Sequence, residues 1–238
     1  MNIKIGTCGF RGRKEEYAEI FSCVEVQHTF YQPPQTKTLE RWRALMPDDF
    51  EFTLKAWQLI THEAKSPTYR RLSKKLTKTE KAEAGYFKPT KIVHEAWEIT
   101  LACAKALRAK TILFQCPASF KPYAENIENL NEFFSEIERE NFNLAWEPRG
   151  VWDNKIIKEI CERHNLWHVV DPLKRQTVTP DKCYFRLYGI TGFRYKYEDD
   201  ELEELVSLLP KNKLSYVFFN NIFMTEDALR FQNIINSL

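Results

Sequence analysis

Asn143-Leu-Ala-Trp-Glu147-Pro-Arg149-Gly-Val-Trp152 is an apolar run that ends in an acid, a base and a glycine. A helical pattern starts directly after it, with Asp153 placed to cap the first turn. An apolar strand tipped by charges and followed by a helix is one unit of a β/α repeat. The tip of such a strand is where these folds keep their chemistry.

The same unit recurs in both directions along the chain. Strand-like runs cover residues 4–8, 23–28, 50–55, 110–115, 143–146, 166–171, 183–188 and 214–219. Helical returns are expected over 15–21, 38–45, 91–107, 125–137, 153–164, 199–209 and 226–235, the last capped by Thr225. The return after Asp171 is short and poorly helical. Eight strands with helical returns predict one parallel (β/α)8 TIM-type barrel over residues 1–238. An open doubly wound sheet is the competing fold. Neither glycine-rich nucleotide signature is present to support it. Residues 57–90 exceed any ordinary βα loop and read as an insertion after the third strand, part helical around 69–76.

Composition sets the outer bounds. The chain has 238 residues, 43% of them hydrophobic, with 17 Phe, 10 Tyr and 6 Trp, enough for a sizeable core. No run of about 18 apolar residues suggests a membrane span. The first residues alternate like a strand and lack signal-peptide features, so a cytoplasmic location is expected. The six cysteines show no Cys-x-x-Cys spacing and read as reduced and buried. Net charge is only +2, yet residues 63–91 hold nine Lys or Arg against three Glu.

Alternation along the strands identifies the lining of the barrel. Val24, Val26, Phe52 and Leu54 suit the helix-facing side, which sends Glu25, Gln27, Thr53 and Lys55 to the axis. The same parity turns Gln115, Glu147, Asp171 and Arg186 inward, joined by Asn220 or Asn221 at the last strand exit. A purely structural lining would be Val, Ile and Leu in layers. Buried ions are stabilised only weakly even when paired, so this charged lining points to a polar site at the strand exits. A satisfied ion-pair network without a ligand is the alternative.

The chemistry of such a site is acid–base or nucleophilic. Neighbouring carboxylates raise one another's pKa and nearby cations lower it. Glu25, Lys55, Glu147, Asp171 and Arg186 are the catalytic candidates, with Lys55 expected as a counter-ion and a Schiff-base nucleophile as its other reading. Gln27, Tyr31, His62, Gln115, Arg149, Trp152, Asn220 and Asn221 are candidate ligand contacts. His28 and His62 match no standard zinc spacing, so no metal site is assigned. The cofactor stays unknown.

The motifs taken together resemble the domain-of-unknown-function 72 (YecE-like) family. They are Ile5-Gly-Thr-Cys-Gly9, Val24-Glu-Val-Gln-His-Thr-Phe-Tyr31, Phe52-Thr-Leu-Lys55, Ile60-Thr-His62, Phe114-Gln-Cys-Pro117, Glu147-Pro-Arg149 with Trp152, Val170-Asp171, Tyr184-Phe-Arg-Leu-Tyr-Gly189 and Phe218-Phe-Asn-Asn221. The resemblance implies a TIM-type barrel and no established activity. Gln27 stands where the family usually has Asn, and Tyr188 where it usually has His. Phe10-Arg11 replaces a common aromatic pair.

Three functional expectations follow. The first is a hydrolase, isomerase, lyase or binding barrel that holds a small anionic ligand, with phosphorylated compounds among the candidates. Lys55 and Arg186 would hold the anion and Glu147 would move a proton. The second is a nucleic-acid-associated barrel of the endonuclease IV type. It would use Arg70, Arg71, Lys74 and Lys75 of the insertion, with Tyr69, Tyr86 and Phe87 stacking on bases. The third is a scaffold for a protein partner of unknown identity, with the charged layer structural. No membrane partner is expected.

Overall fold

Eight parallel strands close on themselves in sequence order in the computed structural model, which describes residues 2–211 and 213–238. They are β1 (Ile3–Cys8), β2 (Cys23–Val26), β3 (Glu51–Lys55), β4 (Thr111–Gln115), β5 (Asn143–Glu147), β6 (Trp167–Val170), β7 (Cys183–Leu187) and β8 (Ser215–Phe219). The ring closes where β1 pairs with β8, Ile3 opposite Ser215 and Thr7 opposite Phe219. Closure leaves no sheet edge, which removes the doubly wound alternative.

The helices are α1 (Lys14–Ile20), α2 (His28–Tyr31), α3 (Thr36–Ala44), α4 (Gln58–Thr61), α5 (Lys78–Glu83), α6 (Lys91–Leu107), α7 (Ala124–Glu136), α8 (Asn154–His164), α9 (Asp199–Ser207) and α10 (Met224–Asn236). Most boundaries fall within two residues of those the sequence predicts. Asp153 does cap α8, its carboxylate accepting the Lys155 N–H at 2.7 Å. Thr225 does not cap α10, which already begins at Met224. The return between β6 and β7 holds no helix.

Two hydrophobic layers hold the fold. The larger lies between strands and helices, where Val24, Phe52, Leu54, Ile112, Phe114, Trp146 and Phe219 meet the helix faces. The smaller fills the barrel: Cys8, Cys23, Leu113, Ala145, Trp167, Val169, Tyr184, Tyr216 and Phe218. The inward parity read from the sequence is therefore the observed one. The aromatic filling closes the barrel from below, so polar side chains one step further along each strand sit at its mouth.

The insertion departs from the expected helix over 69–76. Pro67 opens a 3-10 turn (Pro67–Arg71), and the regular helix waits until α5, where Thr77 and Glu80 form a reciprocal capping box. The segment is tied back to the barrel at Gly85, Tyr86 and Phe87, three successive left-handed residues with φ of 84°, 57° and 54°. Gly85 and Phe87 donate their N–H groups to Leu59 and Ile60 at 2.8 and 2.9 Å. A Cβ on Gly85 would lie 2.3 Å from the His62 carbonyl, so only glycine fits there. Phe87 then packs among Phe114, Phe120, Phe133 and Phe134, fully buried.

Candidate functional site

Five strands send polar side chains to one level at the barrel mouth. Arg186 on β7 is the centre of this layer and is 1% exposed. One terminal nitrogen donates to Glu25 at 2.8 Å and the other to Glu147 at 2.6 Å, so the guanidinium bridges two carboxylates from opposite sides of the barrel. Its Nε is buried without a hydrogen-bond partner among the described residues. Glu25 also accepts from the Tyr184 hydroxyl at 2.7 Å and from the Gln27 amide, and Thr53 Oγ1 lies 2.9 Å from that same hydroxyl.

Glu147 is the more heavily bonded carboxylate. It accepts from Tyr188 OH at 2.7 Å, from Gln115 Nε2 at 3.0 Å and from Arg149 Nε at 3.0 Å in addition to Arg186. Burial alone would raise its carboxyl. Arg186 and Arg149, helped by the Gln115 and Tyr188 hydrogen bonds, outweigh burial and hold it at about 2. Glu147 is thus a fixed anion at neutral pH. Four donors stabilise its charged form, which works against the proton-transfer role expected of it. Burial pushes the Tyr188 hydroxyl well above its ordinary value, so it stays a phenol that donates to Glu147 and accepts from Gln115 and Arg186.

Lys55 at the end of β3 follows a different course. It is 4% exposed, and no carboxylate lies within 4.0 Å of it among the described residues. Its Nζ donates to Gln115 Oε1 at 2.6 Å and sits 3.8 Å above the centre of the Phe30 ring. Burial, then the Arg186 charge, pushes its ammonium down from 10.5 to about 7. The counter-ion expected from the sequence is absent because Arg186 engages both carboxylates.

A cleft of about 570 Å³ opens beside this layer at the exits of β5, β6 and β7. Glu147, Arg149, Asp171, Lys174, Arg175 and Tyr188 supply its polar lining. This volume is in the range of small-molecule sites, roughly 300–1,000 Å³. Arg149 reaches Glu147 through Nε and crosses the Tyr188 ring at 4.7 Å. Its two terminal nitrogens make no hydrogen bond among the described residues, and its side chain is 42% exposed. Gly150, at φ 86°, lets the chain pass so close to Ala118 that a Cβ would be 2.9 Å from its carbonyl oxygen.

Sequence comparison adds a family to this geometry. A family model described as "Protein of unknown function DUF72" matches residues 10–237. The chain belongs to the DUF72 family. A DUF72 structure from Enterococcus faecalis V583 superposes with a TM-score of 0.75 at 18% identity, covering 98% of this chain and 95% of that one. A DUF72 structure from Thermotoga maritima MSB8 gives 0.69 at 22% identity over 99% and 100% of the two chains. Endonuclease IV from Thermus thermophilus gives 0.57 at 10% identity over 99% and 100%, a likeness of fold alone. Among curated proteins, UPF0759 protein YecE of Escherichia coli K12 is 44% identical over 50 residues, which span 21% of this chain and 18% of that protein.

The remaining expected site residues of this DUF72 barrel divide in two. Gln27 and Gln115 join the charged layer. Asp171 falls just past β6 and stands apart from it. Its carboxylate accepts the N–H groups of Leu173 and Tyr188 at 3.3 Å, with Lys174 at 3.9 Å, and burial raises its pKa. Asn221 faces away from the mouth, donating to the Tyr195 carbonyl and to Asp227 at 2.8 and 2.6 Å. Asn220 has the inward parity and, among the described residues, only a backbone bond, to Leu187 O at 2.8 Å. Trp152 is buried in the core. Its indole N–H bonds the Phe120 carbonyl at 2.9 Å, edge-on to Trp146.

His62 lines the β3 exit against the Phe30 ring, and its Nδ1 is 2.8 Å from Thr61 Oγ1. Burial, then Lys55, pushes it down to about 3, so it is neutral. Tyr31 lies under the Arg71 guanidinium at 3.6 Å. Arg70, Arg71, Lys74 and Lys75 are exposed, with Lys74 paired to Glu80 at 3.0 Å. The aromatics expected to stack on bases turn inward instead: Phe87 into the core, Tyr86 onto Phe120 and Tyr69 onto the His62 carbonyl at 2.6 Å. All six cysteines are free and buried. No helix among the described residues is long and apolar enough to cross a membrane.

The sequence reading missed Tyr184, Lys174 and Arg175, and gave Tyr188 no role. Tyr184-Phe-Arg186-Leu-Tyr188 alternates, so both tyrosines share the inward parity of Arg186, a signal that was there to use. Lys174 and Arg175 lie in a turn without periodicity, where no such signal exists.

Proposed function

We propose that this DUF72 protein binds a small anionic ligand, a carboxylate or phosphate ester, in the cleft at the exits of β5 to β7. The observation that carries the reading is the set of Arg149 hydrogen bonds. Its Nε is anchored on an ionised Glu147, and both terminal nitrogens are left for a bidentate acceptor. Lys174 and Arg175 add positive charge on the same wall. Arg186 is not the anion holder, because its two terminal nitrogens already serve Glu25 and Glu147.

The test is thermal stability against pyruvate, short dicarboxylates and phosphorylated three- to five-carbon sugars. A ligand at 100 times its dissociation constant stabilises the fold by about 2.7 kcal/mol. We expect a shift with at least one anion and its loss in Arg149→Ala; shifts that survive in Arg149→Ala overturn the reading. An oligonucleotide arm serves the second reading, which the exposed cluster of Arg70, Arg71, Lys74 and Lys75 supports. A shift confined to the oligonucleotide, weakening steeply with salt and lost when those four charges are removed, transfers the function to the insertion.

A further inference from the structure

We infer that Lys55 is an imine-forming nucleophile, and that the ligand of the neighbouring cleft is a small anionic aldehyde or ketone. This rests on the anion-binding reading above and adds the reacting group to it. Three features of the layer lead there.

The hydrogen bonding of Lys55 suits an amine better than an ammonium. An ammonium has three donors and no acceptor. Buried Nζ has one acceptor among the described residues, Gln115 Oε1 at 2.6 Å, while its other side faces the Phe30 ring. A neutral amine with one N–H on Gln115 keeps a lone pair for attack. The neighbours favour that state, since Arg186 occupies both nearby carboxylates and repels a second cation.

Gln115 links this amine to the cleft. Its oxygen holds Lys55 while its Nε2 donates to Glu147 at 3.0 Å and to Tyr188 OH at 2.8 Å. Glu147 in turn holds Arg149. The amine and the proposed anion-binding guanidinium are thus fixed relative to each other through two intervening side chains. Lys55 is not one of the residues that line the cleft, so a carbonyl carbon entering from Arg149 would have to reach it past the Gln115 amide.

The step balances with water and one proton. The Nζ lone pair forms the C–N bond as the carbonyl π pair moves to oxygen. A proton passes from nitrogen to that oxygen, giving a neutral carbinolamine. Uptake of one solvent proton on the hydroxyl lets water leave, and the nitrogen lone pair closes the C=N bond. The product is a protonated imine, with Glu147 and Glu25 as the anions of the layer and the Phe30 face beneath it. No oxidant or reductant is needed.

The protein is incubated with dihydroxyacetone phosphate, pyruvate or uncharged dihydroxyacetone, each with sodium cyanoborohydride, at pH 7. Adducts are located by peptide mass spectrometry. We expect about one adduct per chain, on Lys55, and none at that position in Lys55→Met or Lys55→Arg. Labelling by the two anions should slow at least ten-fold in Arg149→Ala while labelling by dihydroxyacetone stays the same. Adducts spread over exposed lysines, with Lys55 unmodified, overturn the proposal even if anions still stabilise the protein. Lys55 labelled equally by charged and uncharged carbonyls, with no effect of Arg149→Ala, keeps the nucleophile and overturns the anion-binding cleft. Circular dichroism confirms that each variant is folded before its result counts.

Discussion

Arg186 and Lys55 lie in the same polar layer, on β7 and β3, and their charged forms are pushed in opposite directions. Arg186 is enclosed by Glu25, Glu147 and the Tyr188 hydroxyl; Lys55 has an amide oxygen and an aromatic ring. The number of anions explains the difference. Two carboxylates reach the layer, and the planar guanidinium takes one with each terminal nitrogen, which the single-point ammonium cannot do. The β7 side is thereby a structural strut. The β3 side keeps a basic group that gives up its charge near neutral pH. Similar residues at similar depth serve different ends because of what their neighbours have already used.

Three measurements break or sharpen this contrast. The largest effect is expected from Arg186→Ala, which leaves two carboxylates buried without their shared cation. Unpaired buried charge of this kind costs about 3–5 kcal/mol, so chemical denaturation should show a loss of that size or outright unfolding. A loss under about 1 kcal/mol, the worth of an exposed pair, would remove the strut.

The second concerns Lys55 and pH. Its folded value, about 7, lies below the ordinary 10.5, so between those values the unfolded chain binds one more proton than the native protein. Stability from this group therefore rises with pH across that window, by at most about 1.4 kcal/mol per unit, and the contribution is absent below pH 7. Lys55→Met removes the group. The stability of the wild type relative to Lys55→Met, taken from urea titrations at pH 7, 8 and 9, should climb over that series. A flat difference would mean that Lys55 is charged like Arg186.

The smallest and most local effect is expected from Gln115→Glu, which gives Lys55 the carboxylate it lacks. The pH at which Lys55 becomes reactive to an acylating probe should move upward by about one unit, or 1.4 kcal/mol. An unchanged profile would show that burial alone, without the missing partner, sets the state of Lys55.

Much of the barrel was legible because its signals are local. Period-two alternation identified Glu25, Thr53, Lys55, Gln115, Glu147 and Arg186 as inward, and the observed filling of Cys23, Leu113, Ala145 and Tyr184 follows the same parity. What the sequence withheld was pairing. Alternation says that Lys55 and Arg186 share a layer but not which cation obtains the carboxylates, a matter of distances across the barrel. It says less where strands end: one residue beyond β6, Asp171 keeps the inward parity and lines the cleft but accepts from backbone N–H groups, and of the two asparagines after β8, Asn221 joins Asp227. Trp152 read as a ligand contact from its place at a tip, yet a tryptophan whose N–H finds a carbonyl packs well as core.

The left-handed stretch through Gly85, Tyr86 and Phe87 bears on how chain length can vary at this point in the barrel. Those residues return the insertion to the body of the protein and plant Phe87 in an aromatic nest shared with β4 and α7. Residues 57–90 are therefore not a removable ornament. Simple excision would open a ring-sized hole, for which removal of a buried Phe side chain, about 3–5 kcal/mol, is a fair guide. It would also remove the Leu59–His62 stretch that walls the β3 exit. A shorter barrel would have to refill that nest with the same change that shortened the loop.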